Sequence, residues 1–151
     1  MITLVLLACF LGASSAHLRE YVTLPGIQGS SYSLSNATYL TWEDAGHQCR
    51  QDGGHLAIID SQEELDAVVQ FRASQGIDMF LSWAGFHDRF TEGDYVTMLD
   101  EPLPFSVWYP GYPYDSDEVN CGGVLSLNGQ TGLVIYSCHA LRTFICERSA
   151  A

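Results

Sequence analysis

Five cysteines and five histidines are the residues of this chain best placed to hold a metal or to form covalent bridges. Their spacing separates the two roles. His47 and His55 stand eight positions apart, His87 and His139 are isolated, and no two cysteines form a C-x2-C pair. Zinc ligands come in short pairs, so these spacings argue against zinc. Cys9 lies in an apolar N-terminal run, and setting it aside leaves an even set: Cys49, Cys121, Cys138 and Cys146. In an oxidising compartment four cysteines imply two disulfides, and the residues alone leave all three connectivities open.

The sequence carries no serine nucleophile elbow, HExxH motif, phosphate loop or dinucleotide fingerprint. Its acids are numerous enough to prompt a check for a glycosidase carboxyl pair. Nothing in the sequence marks one carboxyl for a raised pKa and another for a lowered one, and a domain of this size has little room for a deep cleft. The expectation is a protein that is not an enzyme. A different chemistry is concentrated in Trp108-Tyr109-Pro110-Gly111-Tyr112-Pro113-Tyr114, four aromatics and two prolines in seven residues. Rigid, partly exposed aromatics lose little entropy on binding and can also stack on the apolar face of a sugar ring.

The framework for these residues has to come from one domain, given 151 residues. Apolar residues make up 47% and charged residues 16%, enough to bury a core and too little charge for disorder. Eighteen acids face six basic residues, every one an arginine, for a net charge of −12. That balance repels a nucleic-acid backbone or an anionic membrane surface, both of which need clustered cations. Cations and neutral ligands remain open.

Residues Ile2 to Ala13 are apolar or small and Ser14-Ser15-Ala16 supplies small residues, which reads as a signal peptide cleaved after Ala16. About twelve residues are too few to span a bilayer core of about 30 Å. The expectation is a secreted, extracellular protein with no membrane insertion. Asn36-Ala37-Thr38 is an N-glycosylation sequon and agrees with that route.

Thr41-Trp42-Glu43-Asp44 has an N-cap threonine with an acid three residues on, and Trp42, Ala45 and Cys49 then share one helical face. Gly53 and Gly54 end that helix. Ser61-Gln62-Glu63-Glu64 is a capping box, followed by Leu65, Val68 and Val69 at amphipathic spacing. Short apolar runs broken by Gly and Pro follow: Met79 to Trp83, Tyr95 to Met98, Gly123 to Leu127, Leu133 to Ser137 and Thr143 to Cys146. Helices first and short strands later predict an α+β fold with a mostly antiparallel sheet. The expected layout is a leader over 1–16, a short segment over 17–31, one domain over 32–147 and a tail over 148–151.

The order of landmarks resembles the C-type lectin-like domain. It rests on Trp42-x-x-Ala45-x-x-x-Cys49, on Gly54-His55-Leu56-Ala57 with Ser61 and Glu64, and on Trp83-Ala84-Gly85-Phe86. Trp108 with Gly111 and Pro113, Cys121, Cys138 and the closing Phe144-Ile145-Cys146-Glu147 extend it to the end. The resemblance implies two helices, short strands, a long irregular loop region, and disulfides Cys49 to Cys146 and Cys121 to Cys138. It also implies that Trp42, Trp83 and Trp108 are core.

Sugar-binding members of that family hold calcium with Glu-Pro-Asn or Gln-Pro-Asp in the long loop, an acid before the third cysteine, and Trp-Asn-Asp on the next strand. Here those positions read Tyr112-Pro113-Tyr114 and Leu133-Val134-Ile135, with Glu118 as the one remaining acid. One carboxylate cannot supply the six to eight oxygens that calcium takes. The resemblance therefore implies ligand binding at the long-loop face through Tyr109, Tyr112, Tyr114 and Glu118, without calcium at the primary site. Val119 and Leu133-Val134-Ile135 either extend that surface or are buried by it. The family's auxiliary calcium site maps onto Asp88, Glu92, Asp115 and Asn120, and calcium is the one cofactor expected, there only.

Two functions compete: a secreted module recognising a glycan or another extracellular ligand, in innate immunity or matrix, and a structural or regulatory domain docking a protein. About fifteen residues precede the domain after cleavage, too few for a stalk that would multiply weak sugar contacts. That shortness favours a protein partner or an oligomer.

Overall fold

The computed structural model describes residues 19–77, 79–114 and 116–150. The leader with Cys9, and Asp115 among the expected calcium ligands, lie outside the described residues. The elements run β1 (Ser30–Leu34), α1 (Trp42–Gln51), β2 (His55–Leu56), α2 (Gln62–Ser74), β3 (Ser82–His87), β4 (Val96–Thr97), β5 (Cys121–Leu127), β6 (Gln130–Tyr136) and β7 (Thr143–Ser149).

Both helices start at the predicted caps. Thr41 Oγ1 accepts the Asp44 N–H at 3.2 Å, and α1 buries Trp42, Ala45, Gly46 and Cys49. Gly53, with φ +84°, ends it in the left-handed region, where a side chain would be strained. Ser61 Oγ accepts the Glu64 N–H at 3.2 Å at the start of α2. The reciprocal half of that capping box is displaced by one residue. The Glu64 carboxylate takes the N–H of Asp60 at 2.7 Å rather than that of Ser61.

The sheet is ordered β1-β7-β3-β5-β6, with β2 also on β7 and β4 on β3. Its pairings are antiparallel except β3 with β7, where Ser82 faces Thr143 and Trp83 faces Phe144. The run predicted from Met79 becomes strand only at Ser82, because the Phe80 carbonyl is taken by the Arg72 guanidinium instead of a neighbouring strand. Met79 and Phe80 stand exposed. The segment before Tyr32 is packed on the domain: Val22 and Tyr32 exchange backbone hydrogen bonds of 2.8 and 2.7 Å, and Leu24 is buried.

Cys49 is joined to Cys146 and Cys121 to Cys138, the pairing implied by the resemblance. The first bridge ties α1 to β7. Trp83 is fully buried and its indole N–H donates to the Leu40 carbonyl at 2.9 Å, while Trp42 donates to the Ala84 carbonyl at 2.8 Å. Burying those rings with each indole N–H satisfied avoids the cost of an orphaned donor. Residues 98–120 form the long loop between β4 and β5. Among the described residues no helix is long and apolar enough to cross a membrane.

Candidate functional site

The aromatic segment is held against β6 by its backbone. Leu133 donates its N–H to the Val107 carbonyl at 2.8 Å, and Tyr109 donates its own to the Leu133 carbonyl at 2.9 Å. This close approach needs a glycine: a Cβ on Gly132 would come within 2.2 Å of the Tyr109 nitrogen. Tyr109-Pro110-Gly111-Tyr112 then makes a tight turn, with the Tyr112 N–H on the Tyr109 carbonyl at 2.9 Å and Gly111 at φ +89°. Proline followed by a positive-φ glycine is the sequence that a type II turn requires. The next peptide bond, Tyr112-Pro113, is cis.

The turn sorts the four rings by depth. Trp108 points inward and is half-buried, with its ring 4.9 Å from Tyr95 and 5.9 Å from Phe86. Tyr109, Tyr112 and Tyr114 form a row, with centroids 6.3 Å apart for the first pair and 5.3 Å for the second. Tyr112 is half-buried and packs against both halves of the core, whereas Tyr114 is 42% exposed. Burial pushes the Tyr112 hydroxyl pKa upward, helped by the neighbouring hydroxyls of Tyr114, Tyr136 and Tyr109. Tyr136 on β6 packs against the same part of the core as Tyr109 and Tyr112, with the Arg142 guanidinium 5.0 Å above its ring. Sequence reasoning placed Tyr136 on a strand and missed this association, since β6 and the long loop meet only in the fold.

The remaining expected ligand residues are elsewhere. Glu118 is exposed in the turn after Asp115, where its N–H donates to Ser116 Oγ at 3.3 Å. Val119 is half-buried against the core, and Leu133, Val134 and Ile135 are wholly buried. Those three aliphatics therefore face the core instead of extending the tyrosine surface. Three buried hydrocarbon side chains and Tyr-Pro-Tyr offer calcium no carboxylate, so the residues do not fit the ion at the primary sugar position.

Of the auxiliary positions among the described residues, Asp88 is the one with a buried, unengaged oxygen. Asp88 is 2% exposed, one of its oxygens accepts the Gly93 N–H at 2.9 Å, and the other is buried without a hydrogen-bond partner among the described residues. The Asp88 N–H donates to the Asn120 carbonyl at 3.2 Å, which puts these two side by side. Glu92 is committed to the Ser116 N–H at 3.0 Å, and the Asn120 amide donates to the Asp117 carbonyl at 3.0 Å. Among the described residues no three His, Cys, Asp or Glu side chains are gathered closely enough to hold a metal. Asn36 is exposed in the bend between β1 and α1.

Two helices flanking a short-stranded sheet, two disulfides and a long aromatic loop define a C-type lectin-like fold. The chain belongs to the family described as the lectin C-type domain, which matches residues 38–148. It is 31% identical over 138 residues to the hemolymph lipopolysaccharide-binding protein of Periplaneta americana, covering 82% of this chain and 52% of that one. The chain thus spans about half the length of this relative. Among solved structures it is similar to the carbohydrate-recognition domain of cow CD23, determined in the presence of GlcNAc2Man3 oligosaccharide. That likeness has 27% identity and a TM-score of 0.70, over 86% of this chain and 98% of that one. A Ca2+-dependent type II antifreeze protein in its Ca2+-free form shares the fold at a TM-score of 0.74 with 22% identity, over 85% and 97% of the two chains.

Proposed function

We propose that this chain is an extracellular recognition domain, with 32–147 as its folded unit, that binds a glycan through the row Tyr109, Tyr112 and Tyr114 without calcium at the primary sugar position. The observation that carries the reading is the 5.3 Å packing of Tyr112 on Tyr114, one ring anchored in the core and the next 42% exposed. A ring held from behind presents a rigid apolar face, which a sugar can cover at little entropic cost. The relative from Periplaneta, named for lipopolysaccharide binding, and the oligosaccharide present with the cow domain support a glycan as the ligand class.

The test is retention of the purified protein on mannose, galactose and complex-glycan matrices, with calcium and then with EDTA. Retention unaffected by EDTA and lost in Tyr114→Ala is expected. Calcium-dependent elution by free sugar would overturn the calcium-free reading. Absence of retention on every matrix would favour the second reading, a protein-docking domain. That reading is supported by exposed apolar side chains such as Phe90 and Phe80, 76% and 70% exposed.

The proposal includes a weak cation at the auxiliary position, held by Asp88 with Glu92, Asn120 and Asp115, and a glycan on Asn36. Support for the cation is the buried Asp88 oxygen that lacks a partner among the described residues. Secretion is supported by the two disulfides, which persist in oxidising compartments.

A further inference from the structure

With six arginines, no lysine and eighteen acids in the chain, the placement of each cation is informative. Arg19 pairs with Asp52 at 3.4 Å. Arg72 is buried and bound to Ser82 Oγ at 2.9 Å and to the Phe80 carbonyl. Arg142 and Arg148 lie over the rings of Tyr136 and Tyr21. Arg89 also lies over a ring, that of Trp42, but together with Arg50 it borders a shared space. Both are exposed, neither is ion-paired among the described residues, and both line one open cavity of about 180 Å³ between α1 and the turn after β3.

The cavity is shaped for a small ligand. Trp42 and His87 form its wall, their rings edge to face at 5.4 Å, with the Arg89 guanidinium 5.9 Å above the Trp42 ring. Gly46 keeps the floor open: a Cβ there would meet the Met98 methyl at 3.1 Å and Arg50 Nη1 at 3.6 Å. Glu43 is the one acid in the lining. Two guanidinium groups facing one space repel each other, and in a chain this acidic the usual remedy would be a carboxylate between them. Glu43 lines the cavity but lies within 4.0 Å of neither guanidinium, and the nearby Asp88 and Asp100 act on His87 in the wall without forming an ion pair with either arginine. A guanidinium presents a planar fork of donors that matches the oxygens of a carboxylate, sulfate or phosphate.

We propose that this cavity binds a small oxyanion, a carboxylate, sulfate or phosphate group, at a site separate from the tyrosine row. A net charge of −12 repels an extended polyanion, and screening over about 8 Å at physiological salt confines the pull of the arginines to a group that enters the cavity. The ligand is therefore a single charged group and not a charged chain.

Met98 supplies the test. With the methionine methyls of the full, secreted chain isotopically labelled, sodium sulfate, phosphate and acetate are titrated separately at an ionic strength held constant with chloride, and heparin is titrated in parallel. A saturable shift of the Met98 methyl is expected, with Met79, exposed on the approach to β3, unmoved. Comparison of the three salts identifies the preferred oxyanion, and heparin is expected to bind no more tightly than the best of them. Arg50→Gln and Arg89→Gln should each weaken binding about tenfold, as loss of one charge-assisted hydrogen bond predicts. Both are surface changes, and an unchanged melting temperature confirms that the fold is intact. No saturable shift, an equal shift at Met79, or undiminished binding in both variants would overturn the proposal. Tight heparin binding would overturn its restriction to small ions.

Discussion

The Tyr32 hydroxyl on β1 donates to the Glu64 carboxylate in the first turn of α2, 32 residues away in sequence and with both side chains buried. Glu64 also takes the Asp60 N–H, and Glu147, 8% exposed, takes the N–H of Ile58 at 3.1 Å and the hydroxyl of Ser30 at 2.7 Å. Burial raises the Glu64 pKa from 4.5 to about 7, outweighing the hydrogen bonds from Tyr32 and Asp60 that favour the ion. Burial and the adjacent Glu64 charge push the Tyr32 hydroxyl strongly upward.

A carboxyl whose folded pKa lies above its unfolded value stabilises the fold while it is protonated. The contribution from Glu64 is complete below about pH 4.5 and is lost as pH rises through about 7. The loss is on the order of 3 kcal/mol. Melting temperatures measured between these limits should fall with rising pH, and Glu64→Gln should flatten that slope. A melting temperature that climbs over the same range would show that the ionised form is the better accommodated one.

The two disulfides should differ in worth. Cys49 and Cys146 are 97 residues apart and Cys121 and Cys138 only 17, so chain entropy assigns about 4.7 and about 3 kcal/mol respectively. Paired alanine replacement of each bridge, followed by denaturant titration, should give the larger loss for the α1–β7 bridge. Equal losses would mean that the unfolded chain is already constrained by other contacts.

Gly132→Ala should uncouple the tyrosine row from the sheet. The new methyl would collide with the Tyr109 backbone, which cannot swing aside as a flexible side chain could. Lower stability and lost ligand retention are expected together, by contrast with Tyr114→Ala, which should lose retention with its unfolding free energy within about 0.5 kcal/mol of the parent, as surface changes generally are. Retention surviving in Gly132→Ala would separate binding from this loop.

Calcium should raise the melting temperature if the auxiliary position is used. At about 100 times its dissociation constant the ion stabilises by about 2.7 kcal/mol. EDTA should reverse the rise, and Asp88→Asn should abolish it. A calcium response that persists in Asp88→Asn would move the ion elsewhere.

Local order alone made much of the fold legible. Thr41 and Ser61 begin helices because a hydroxyl satisfies an otherwise orphaned N–H, and Gly53 ends one because it tolerates a positive φ; neither depends on distant residues. The helical face of Trp42, Ala45 and Cys49 follows from a period of 3.6. The replacement of calcium-ligating side chains at Tyr112, Tyr114 and Leu133 to Ile135 is likewise a matter of residue identity.

Depth, by contrast, was decided by tertiary structure. Tyr112 and Tyr114 are alike in sequence, yet one is wedged into the core and the other meets solvent because β6 fixes the turn that carries them. Glu64 reads as a capping acid and Asp88 as a candidate calcium ligand, yet the closure of β1 and β7 over one, and of the Asn120 segment beside the other, is what removes both from water. Arg50 and Arg89 are distant in sequence, and only the packing of α1 beside β3 gives them a common cavity. Residue type and short-range spacing set which elements form, whereas burial and shared electrostatic environment arise from long-range pairing, which no local pattern encodes.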